Sequence, residues 1–346
     1  MTHASPSRRS PLLAGAALLL ALPAAAQVTP PQPTPPAPTT PAPTQPAPTT
    51  PAPTAGPQVI VPRPRATPAD TGAAAAAAPA ARLVAVVEGF SGPEAVRYDP
   101  EQDVYFVANF NGGSGDADNN GFISRVRPNG TVENLRFVAG GVNDVTLHAP
   151  RGMAISGDTL WVADVDGVRG FHRRTGAPLA TVSFAGQDVG FLNDVAVGGG
   201  AVHVTDTGRN RIWRVQNGAV SVALSDPGLG SPNGITWDAA NDRFLVVPYG
   251  GSPTLLAWRP GTAALAGVGT GTGSRYDGVE LLEGGRILVA SQTDSSLHVF
   301  ENGRGRPVAR TGGRPADIGL DTRRNRVAVP FIALNRVEIW ELTGAR

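Results

Sequence analysis

Short apolar runs alternate with polar and turn residues along the last three-quarters of the chain, and they return at a near-constant interval. Six stretches open on related triplets, and most then alternate with period two: GPEAVRYD, APRGMAIS, FLNDVAVG, SPNGITWD, RYDGVELL and RPADIGLD. Their variable central residues, Glu94, Arg151, Asn193, Asn233, Asp277 and Ala316, stand 57, 42, 40, 44 and 39 residues apart. Behind each comes a second run (DVYFVANF, TLWVADV, AVHVTDT, RFLVVPY, RILVASQ, RVAVPFI) and then a third (GFISRV, GVRGFH, RIWRVQ, TLLAWRP, SLHVFEN, RVEIWEL). Such β-branched and aromatic runs, bounded by Gly, Asp, Asn and Pro, have the make-up of strands joined by tight turns. Fourth runs stand at TVENLRFV, PLATVSF, AVSVALS, AALAGVG and RPVART, while the sixth unit has only three.

Four strands per unit and a period near forty predict an all-β fold, a six-bladed β-propeller with four antiparallel strands per blade. The strand lacking in the sixth unit is expected to be RLVAVVEGF, residues 82–90, lying beside 337–342. That pairing would close the ring with the N-terminal strand and protect an otherwise open sheet edge.

The residues before the repeats are of a different kind. Arg8 and Arg9, the apolar run from Leu12 to Leu22, and Ala24-Ala25-Ala26 before Gln27 read as an export signal over residues 1–26. The run is too short for a stable span, so no transmembrane anchor is expected after cleavage and the location is periplasmic or extracellular. Sec export fits better than the twin-arginine route, because Pro11 and Leu12 match the latter motif loosely. Residues 27–81 are rich in Pro, Thr and Ala, cannot bury a core and favour extended polyproline conformations, as a spacer or tether does. The folded domain is therefore expected at 82–346.

Composition narrows the chemistry. The net charge of +1 gives no overall bias toward nucleic acid or acidic partners. All 29 basic residues are Arg, which excludes lysine Schiff-base mechanisms, and the absence of Cys excludes thiol nucleophiles, disulfides and thiolate zinc sites. Five His are present, and neither GxSxG nor HExxH occurs.

In a propeller the opening strands of all blades start at one rim of the central channel, so the six triplet centres form one ring. Glu94, Asn193, Asn233 and Asp277 would offer a cation only oxygen ligands, two of them charged, which favours Ca2+ with Mg2+ or Mn2+ as substitutes. Asn233-Gly234 and Asp277-Gly278 are also ordinary turn pairs taken one at a time; it is their shared register in four units that points to a site. Four protein ligands leave coordination positions open for water or a substrate carbonyl.

The Glu of GPEAVRYDP, the Asn of LNDVAV, the Asn of PNGITWD and the Asp of DGVELLEGGRILVAS resemble the senescence-marker-protein/gluconolactonase/luciferin-regenerating-enzyme family over residues 82–346. The resemblance implies a six-bladed propeller with a divalent cation, usually Ca2+, held by Glu94, Asn193, Asn233 and Asp277, and lactone or ester hydrolysis there. Related paraoxonase-like members tend to carry a catalytic His at the register of Arg151, so Arg151 is a departure. Arg151 and Asn193 are the candidate substrate contacts. An Arg would select an anionic substrate by bidentate pairing; equally it would serve as a rim residue paired with Asp194 or Asp317. Asp277 is the candidate proton acceptor, with Asp194 beside the site as the other.

Further motifs stay outside the ring. Asp116 to Ile123 imitates the first half of an EF-hand loop, but Arg127 stands at the twelfth position and an ordinary hairpin loop is expected. His148 is expected to be a loop residue, and Asn143-Asp144 precedes the second triplet. The reading is a secreted, metal-dependent hydrolase of a small-molecule lactone or ester. Its alternatives are a non-catalytic binding module on a Pro/Thr stalk and a lyase using the same ion.

Overall fold

The computed structural model describes residues 59–60 and 81–343. They belong to one compact unit, Pro53–Arg346. The expected export signal, and all of the expected linker except Val59, Ile60 and Ala81, lie outside the described residues.

The described residues form strands and three short 3-10 turns. β1 (Val59–Ile60) and β2 (Ala81–Glu88) precede the repeats. The first repeat gives β3 (Pro93–Asp99), β4 (Val104–Asn109), β5 (Phe122–Val126) and β6 (Val132–Ala139). The second gives β7 (Met153–Ser156), β8 (Thr159–Asp164), β9 (Gly167–His172) and β10 (Pro178–Ser183). The third gives β11 (Leu192–Gly198), β12 (Ala201–Asp206), β13 (Arg211–Gln216) and β14 (Ala219–Ser225). The fourth gives β15 (Pro232–Asp238), β16 (Arg243–Pro248), β17 (Thr254–Trp258) and β18 (Leu265–Thr270). The fifth gives β19 (Tyr276–Leu281), β20 (Ile287–Ser291), β21 (Ser296–Glu301) and β22 (Arg304–Arg310). The last has β23 (Gly319–Asp321), β24 (Arg326–Phe331) and β25 (Arg336–Leu342).

Each of the first three repeats is its own four-stranded antiparallel sheet. The fourth and fifth are two such sets, joined through a single parallel pair, Thr270 with Arg304. The three strands of the last repeat are joined by β2, antiparallel to β25, with Leu83 opposite Trp340 and Val87 opposite Val337. β1 adds two residues beyond β2, Val59 opposite Val87.

The turn after the opening strand recurs with the same chemistry. Asp99 accepts from the backbone N–H groups of Glu101 and Gln102, and Asp321 from those of Arg323 and Arg324. Four residues after Asp99, Asp238 and Asp321, the chain takes the left-handed conformation at Asp103, Asp242 and Asn325 (φ 55°, 50° and 54°). Short polar side chains tolerate that conformation better than other non-glycine residues.

A sheet with alternating side chains has two faces to bury, and here the core is divided into apolar wedges between neighbouring sheets. Phe106, Ile123, Met153 and Leu160 fill the wedge between the first and second repeats. Trp213 and Val168 fill the next, and Phe244, Trp258 and Ile212 the one after. Leu245, Val289 and Phe300 join the fourth and fifth repeats, and Leu288 and Val329 the fifth and last. Val87, Ile339, Tyr105 and Val107 pack the sheet of β2 and β25 against that of the first repeat. The opening strands β3, β7, β11, β15, β19 and β23 neighbour one another in that order, and β23 lies again beside β3. Among the described residues no helix is long and apolar enough to cross a membrane.

Candidate functional site

The opening strands do more than run beside one another. In four of them the pairing with the following strand slips at the triplet: between Pro93 and Ala95, Leu192 and Val195, Pro232 and Ile235, and Tyr276 and Val279. A bulge at a strand end re-aims a side chain that regular pleating would send elsewhere. The residues within these slips include Glu94, Asn193, Asn233 and Asp277. All four line one cavity of about 360 Å3.

Close approach of the opening strands needs residues without side chains. A Cβ on Gly234 would stand 2.1 Å from the Asp277 carbonyl oxygen, and one on Gly152 would stand 2.0 Å from Asp194 Oδ1. The loops leading into three of the opening strands are tied down by polar residues at the ends of the second strands. Asn109 Oδ1 accepts from Ser91 N (3.1 Å), Asp164 from His148 N and Ala149 N, and Asp206 from Gly190 N and Phe191 N.

The four candidate ligands are each only 4–5% exposed. Glu94 Oε2, Asn233 Oδ1 and Asp277 Oδ1 are buried and have no hydrogen-bond partner among the described residues. Buried oxygens are ordinarily satisfied, so three unsatisfied ones in one cavity call for a ligand or water. Two of the four side chains are held from outside: Gln292 Nε2 donates to Asp277 Oδ2 (2.6 Å), and Asn193 Nδ2 donates to Thr207 Oγ1 (3.0 Å). The Tyr249 hydroxyl donates to Gln292 Oε1 (3.0 Å), extending the support one residue further. The donor set is all oxygen and carries two carboxylates, which fits a hard divalent cation.

Electrostatics describe the same strain. Burial, then the charges of Asp277 and Asp194, holds the Glu94 carboxyl well above its ordinary range, against the pull of Arg151. Burial pushes Asp277 up to about 7; the Gln292 hydrogen bond opposes this, and Asp194 adds to it. Gathering carboxylates out of water without a cation favours their protonated forms.

Asp194 and Asp317 lie off the cavity. Asp194 accepts backbone N–H groups with both oxygens, Val195 N at Oδ1 (2.6 Å) and Ile235 N at Oδ2 (2.8 Å). It ties β11 to β15, and both its oxygens are engaged with backbone. Asp317 is 2% exposed, and burial, then the charge of Asp194, raises its carboxyl well above the ordinary range. Its nearest cation is Arg97, 3.7 Å from Oδ2, which also meets Glu280 at 2.5 Å and donates to Met153 O. Arg97 and Glu280 carry no triplet signature, and nothing in the local sequence distinguishes them from solvated strand residues.

Arg151 is adjacent to this group but is not part of the cavity lining. It is 2% exposed, and its two terminal nitrogens donate to the Leu192 and Ser114 carbonyl oxygens. Its guanidinium carbon sits 3.8 Å from the centre of the Phe191 ring. Burial lowers its pKa despite Glu94 and Asp164. The pairing with Asp194 or Asp317 considered from sequence is absent among the described contacts; the guanidinium instead braces two loops and the back of Phe191.

The remaining motifs fall elsewhere. In the EF-hand-like stretch Asp116 accepts from Gly113 N, Asn119 Oδ1 from Leu147 N, and Asp118 from Asn120, so the acidic groups are spent locally. Asn143 and Asp144 form an exposed turn with positive φ. His148, Asp164 and Asp166 bring three ligand-type atoms within 4.8 Å of one another. Arg169 already bonds both carboxylates there, and His148 Nδ1 accepts from Asn119 N, so the cluster carries its own cation.

No family model matches the sequence, and no curated protein matches it. Solved structures do. A gluconolactonase of Xanthomonas campestris superposes with a TM-score of 0.58 at 19% identity, over 82% of this chain and 99% of that one. A putative gluconolactonase gives 0.57 at 16% identity, covering 78% and 94%. A streptogramin B lyase gives 0.53 at 12% identity, covering 73% and 94%. At these identities the likeness is one of fold, and it is the gluconolactonase-like fold to which the triplet motifs point.

Proposed function

We propose that the protein is an exported, divalent-cation-dependent hydrolase of a lactone or related ester, built as a six-bladed propeller whose ring is closed by β2. The observation that carries the reading is the set of three buried, unpartnered oxygens of Glu94, Asn233 and Asp277 in one cavity. Glu94, Asn193, Asn233 and Asp277 would hold the ion, Ca2+ being the best match to ligands that are all oxygen. A bound ion of this type polarises a carbonyl oxygen and acidifies a bound water.

The chain's own groups do the rest. Gln292 holds Asp277 Oδ2, so the orientation of Oδ1 toward the cavity is set before substrate arrives. Asn193, fixed by Thr207, orients the substrate beside the ion. Asp277 is the proposed acceptor of the attacking water's proton; burial raises its carboxyl in the ion-free fold, and a bound cation would draw it back down. Asp194 acts as a brace between strands rather than as the base. Arg151 positions Phe191 and the Ser114 loop.

The test is a calcium titration of chelator-stripped protein by calorimetry, with Glu94→Gln and Asp277→Asn alongside, followed by a lactone and ester screen. Saturable binding lost in both variants, with calcium-dependent hydrolysis, supports the reading. A folded wild type that binds no divalent ion would overturn it and leave a polar-floored binding module. Substrate opening without incorporation of solvent oxygen would instead place the chemistry with a lyase, on the fold it shares with the streptogramin B lyase.

A further inference from the structure

We propose that the cavity selects a neutral, apolar lactone or ester, one carrying an alkyl chain or an aromatic ring, over a polyhydroxylated sugar lactone or an anionic substrate. The inference rests on hydrolysis at this site, as proposed above, and narrows its substrate class.

The walls carry the argument. Above the oxygen-lined floor the cavity is walled by Phe110, Phe191, Tyr249 and Ile332. Of the polar side chains that complete the lining, Thr207 and Gln292 are already engaged, and Ser114 lies on an exposed loop. Thr207 Oγ1 donates to the Pro232 carbonyl (2.7 Å) and accepts from Asn193. Gln292 donates to Asp277 and accepts from Tyr249, which uses the only hydroxyl proton Tyr249 has. Away from the oxygens that would hold the ion, a sugar hydroxyl entering this space gives up its water and meets chiefly aromatic faces or groups whose hydrogen bonds are committed, a largely uncompensated loss. An alkyl or aryl group loses nothing by the same move and gains by leaving water.

Charge selects in the same direction. The one guanidinium near the floor, that of Arg151, donates to the Ser114 and Leu192 carbonyls and lies against the Phe191 ring. Among the described residues no basic side chain lines the cavity, Arg275 approaching only the Tyr249 ring (5.6 Å), and the carboxylates of Glu94 and Asp277 would balance the charge of a bound divalent ion, so the floor offers an anionic substrate no net positive field. Hydrolysis forms an acid, and the same lining holds no basic side chain to retain it. In that reaction the water oxygen bonds to the acyl carbon, the acyl C–O bond breaks, and the departing oxygen takes up a proton to give a hydroxy acid.

The walls are also fixed in advance. Asp206 holds the Phe191 backbone N–H at 2.8 Å, with Arg151 behind the ring. The Phe110 side chain packs within 3.4 Å of where a Cβ on Gly92 would stand. A wall that need not be ordered on binding turns more of its contact area into affinity. Ile332 is 36% exposed while lining the cavity, so it marks the side on which a chain leaves toward solvent.

The full mature chain, loaded with calcium, would be assayed on γ-butyrolactone, γ-octalactone, γ-dodecalactone, dihydrocoumarin and glucono-δ-lactone. We expect kcat/KM to rise by about fourfold per added methylene until the cavity is filled, with gluconolactone at least tenfold below γ-octalactone. Ile332→Ser should flatten the dependence on chain length. A preference for gluconolactone, or no effect of chain length, would overturn the proposal while leaving hydrolysis intact. An independent readout is calorimetric binding of the non-hydrolysable counterparts, the γ-octanoic lactam and gluconolactam. Tighter binding of the octanoic lactam with no turnover of any lactone would sink the hydrolase reading and retain the apolar selectivity. Tighter binding of gluconolactam would sink the selectivity whatever the turnover.

Discussion

Glu94, Asn233 and Asp277 come from three different repeats, yet each leaves one buried oxygen unbonded in the same cavity. Proteins tolerate such groups where something else satisfies them, and two carboxylates with amides around them invite a cation. Gln292 belongs to the same arrangement because it holds Asp277 from outside. Gln292→Leu is therefore expected to weaken calcium binding about 10–100-fold, as loss of an orienting partner does elsewhere, without abolishing it. Calorimetry at fixed pH reads this directly, and unchanged affinity would remove Gln292 from the site. Asp277 also gives a pH prediction for the ion-free protein. Its carboxyl titrates near 7 in the fold against 3.8 in the unfolded chain, so the folded state keeps a proton that the unfolded state has shed. The stability this contributes is full below about 4 and is lost as pH rises through about 7. His203 shifts the other way: burial lowers it to about 4, so its contribution is present above 6.5 and lost as pH falls through about 4. The comparison of wild type with Asp277→Asn isolates the first effect. Urea unfolding at pH 5 and 7.5 should show wild type losing more stability than the variant over that interval; parallel losses would contradict the assignment. The four oxygen-bearing residues were legible because they recur in register. The burial of Arg151 was not, since a guanidinium aimed at solvent and one folded back on two carbonyls have the same sequence.

At the level of elements, the bulges explain why turn-like triplets come to line one cavity. Asn233-Gly234 and Asp277-Gly278 look like ordinary turn pairs, but here they sit where the ladder slips and adjacent opening strands nearly touch. Gly234 is required because of its neighbour rather than its own torsions: an added Cβ meets the Asp277 carbonyl at 2.1 Å. Gly234→Ala should therefore cost roughly 1–3 kcal/mol through overpacking and should also impair calcium binding by displacing β19. Gly115→Ala, where the Cβ would meet nothing within 4 Å, should leave both nearly unchanged. Equal effects of the two substitutions would show that the strand contact does not position the site. The second strands offered a signal that sequence reading passed over. Asn109, Asp164 and Asp206 end DVYFVAN, TLWVAD and AVHVTD at one register, and each fastens the loop that leads into an opening strand. Their recurrence was visible, but a polar residue at a strand end also suits a simple turn. The sixth opening strand was overread: RPADIGLD yields only Gly319–Asp321, with the Asp317 backbone bonding to Glu94 and Val96 of β3 instead.

For the whole molecule, the informative contact is between strands some 250 residues apart in sequence. β2 pairs with β25 from Ala81 opposite Leu342 to Glu88 opposite Arg336, and Val87 joins Val337, Ile339 and Tyr105 in one apolar wedge. The repeat arithmetic anticipated this, because three strands in the last unit left an edge to be covered. It did not anticipate β1, whose two residues lie inside the stretch expected to be linker, because a two-residue pairing carries no periodic signal. The energetic consequence is an asymmetry between two deletions. Removing residues 81–88 takes away a fully buried Val87 and the near-buried Ala81 and Ala85, and uncovers Val337 and Ile339 along an open strand edge. At about 1.5–3 kcal/mol for a buried side chain of Val or Ile size, with the lost backbone pairings added, the cost is on the order of 5 kcal/mol or more. That is a large share of the stability of an ordinary domain. Removing residues 27–58, whose Pro/Thr composition gives no core to bury, should change stability by about 0.5 kcal/mol or less. Guanidinium unfolding of the two truncations beside the mature chain measures both. If β2 closes the ring, the first truncation melts far below the second, and added calcium rescues it only in part, since the proposed ligands lie on β3, β11, β15 and β19 rather than on β2. Equal midpoints would mean that the last sheet stands on its three remaining strands and that the closing contact is dispensable.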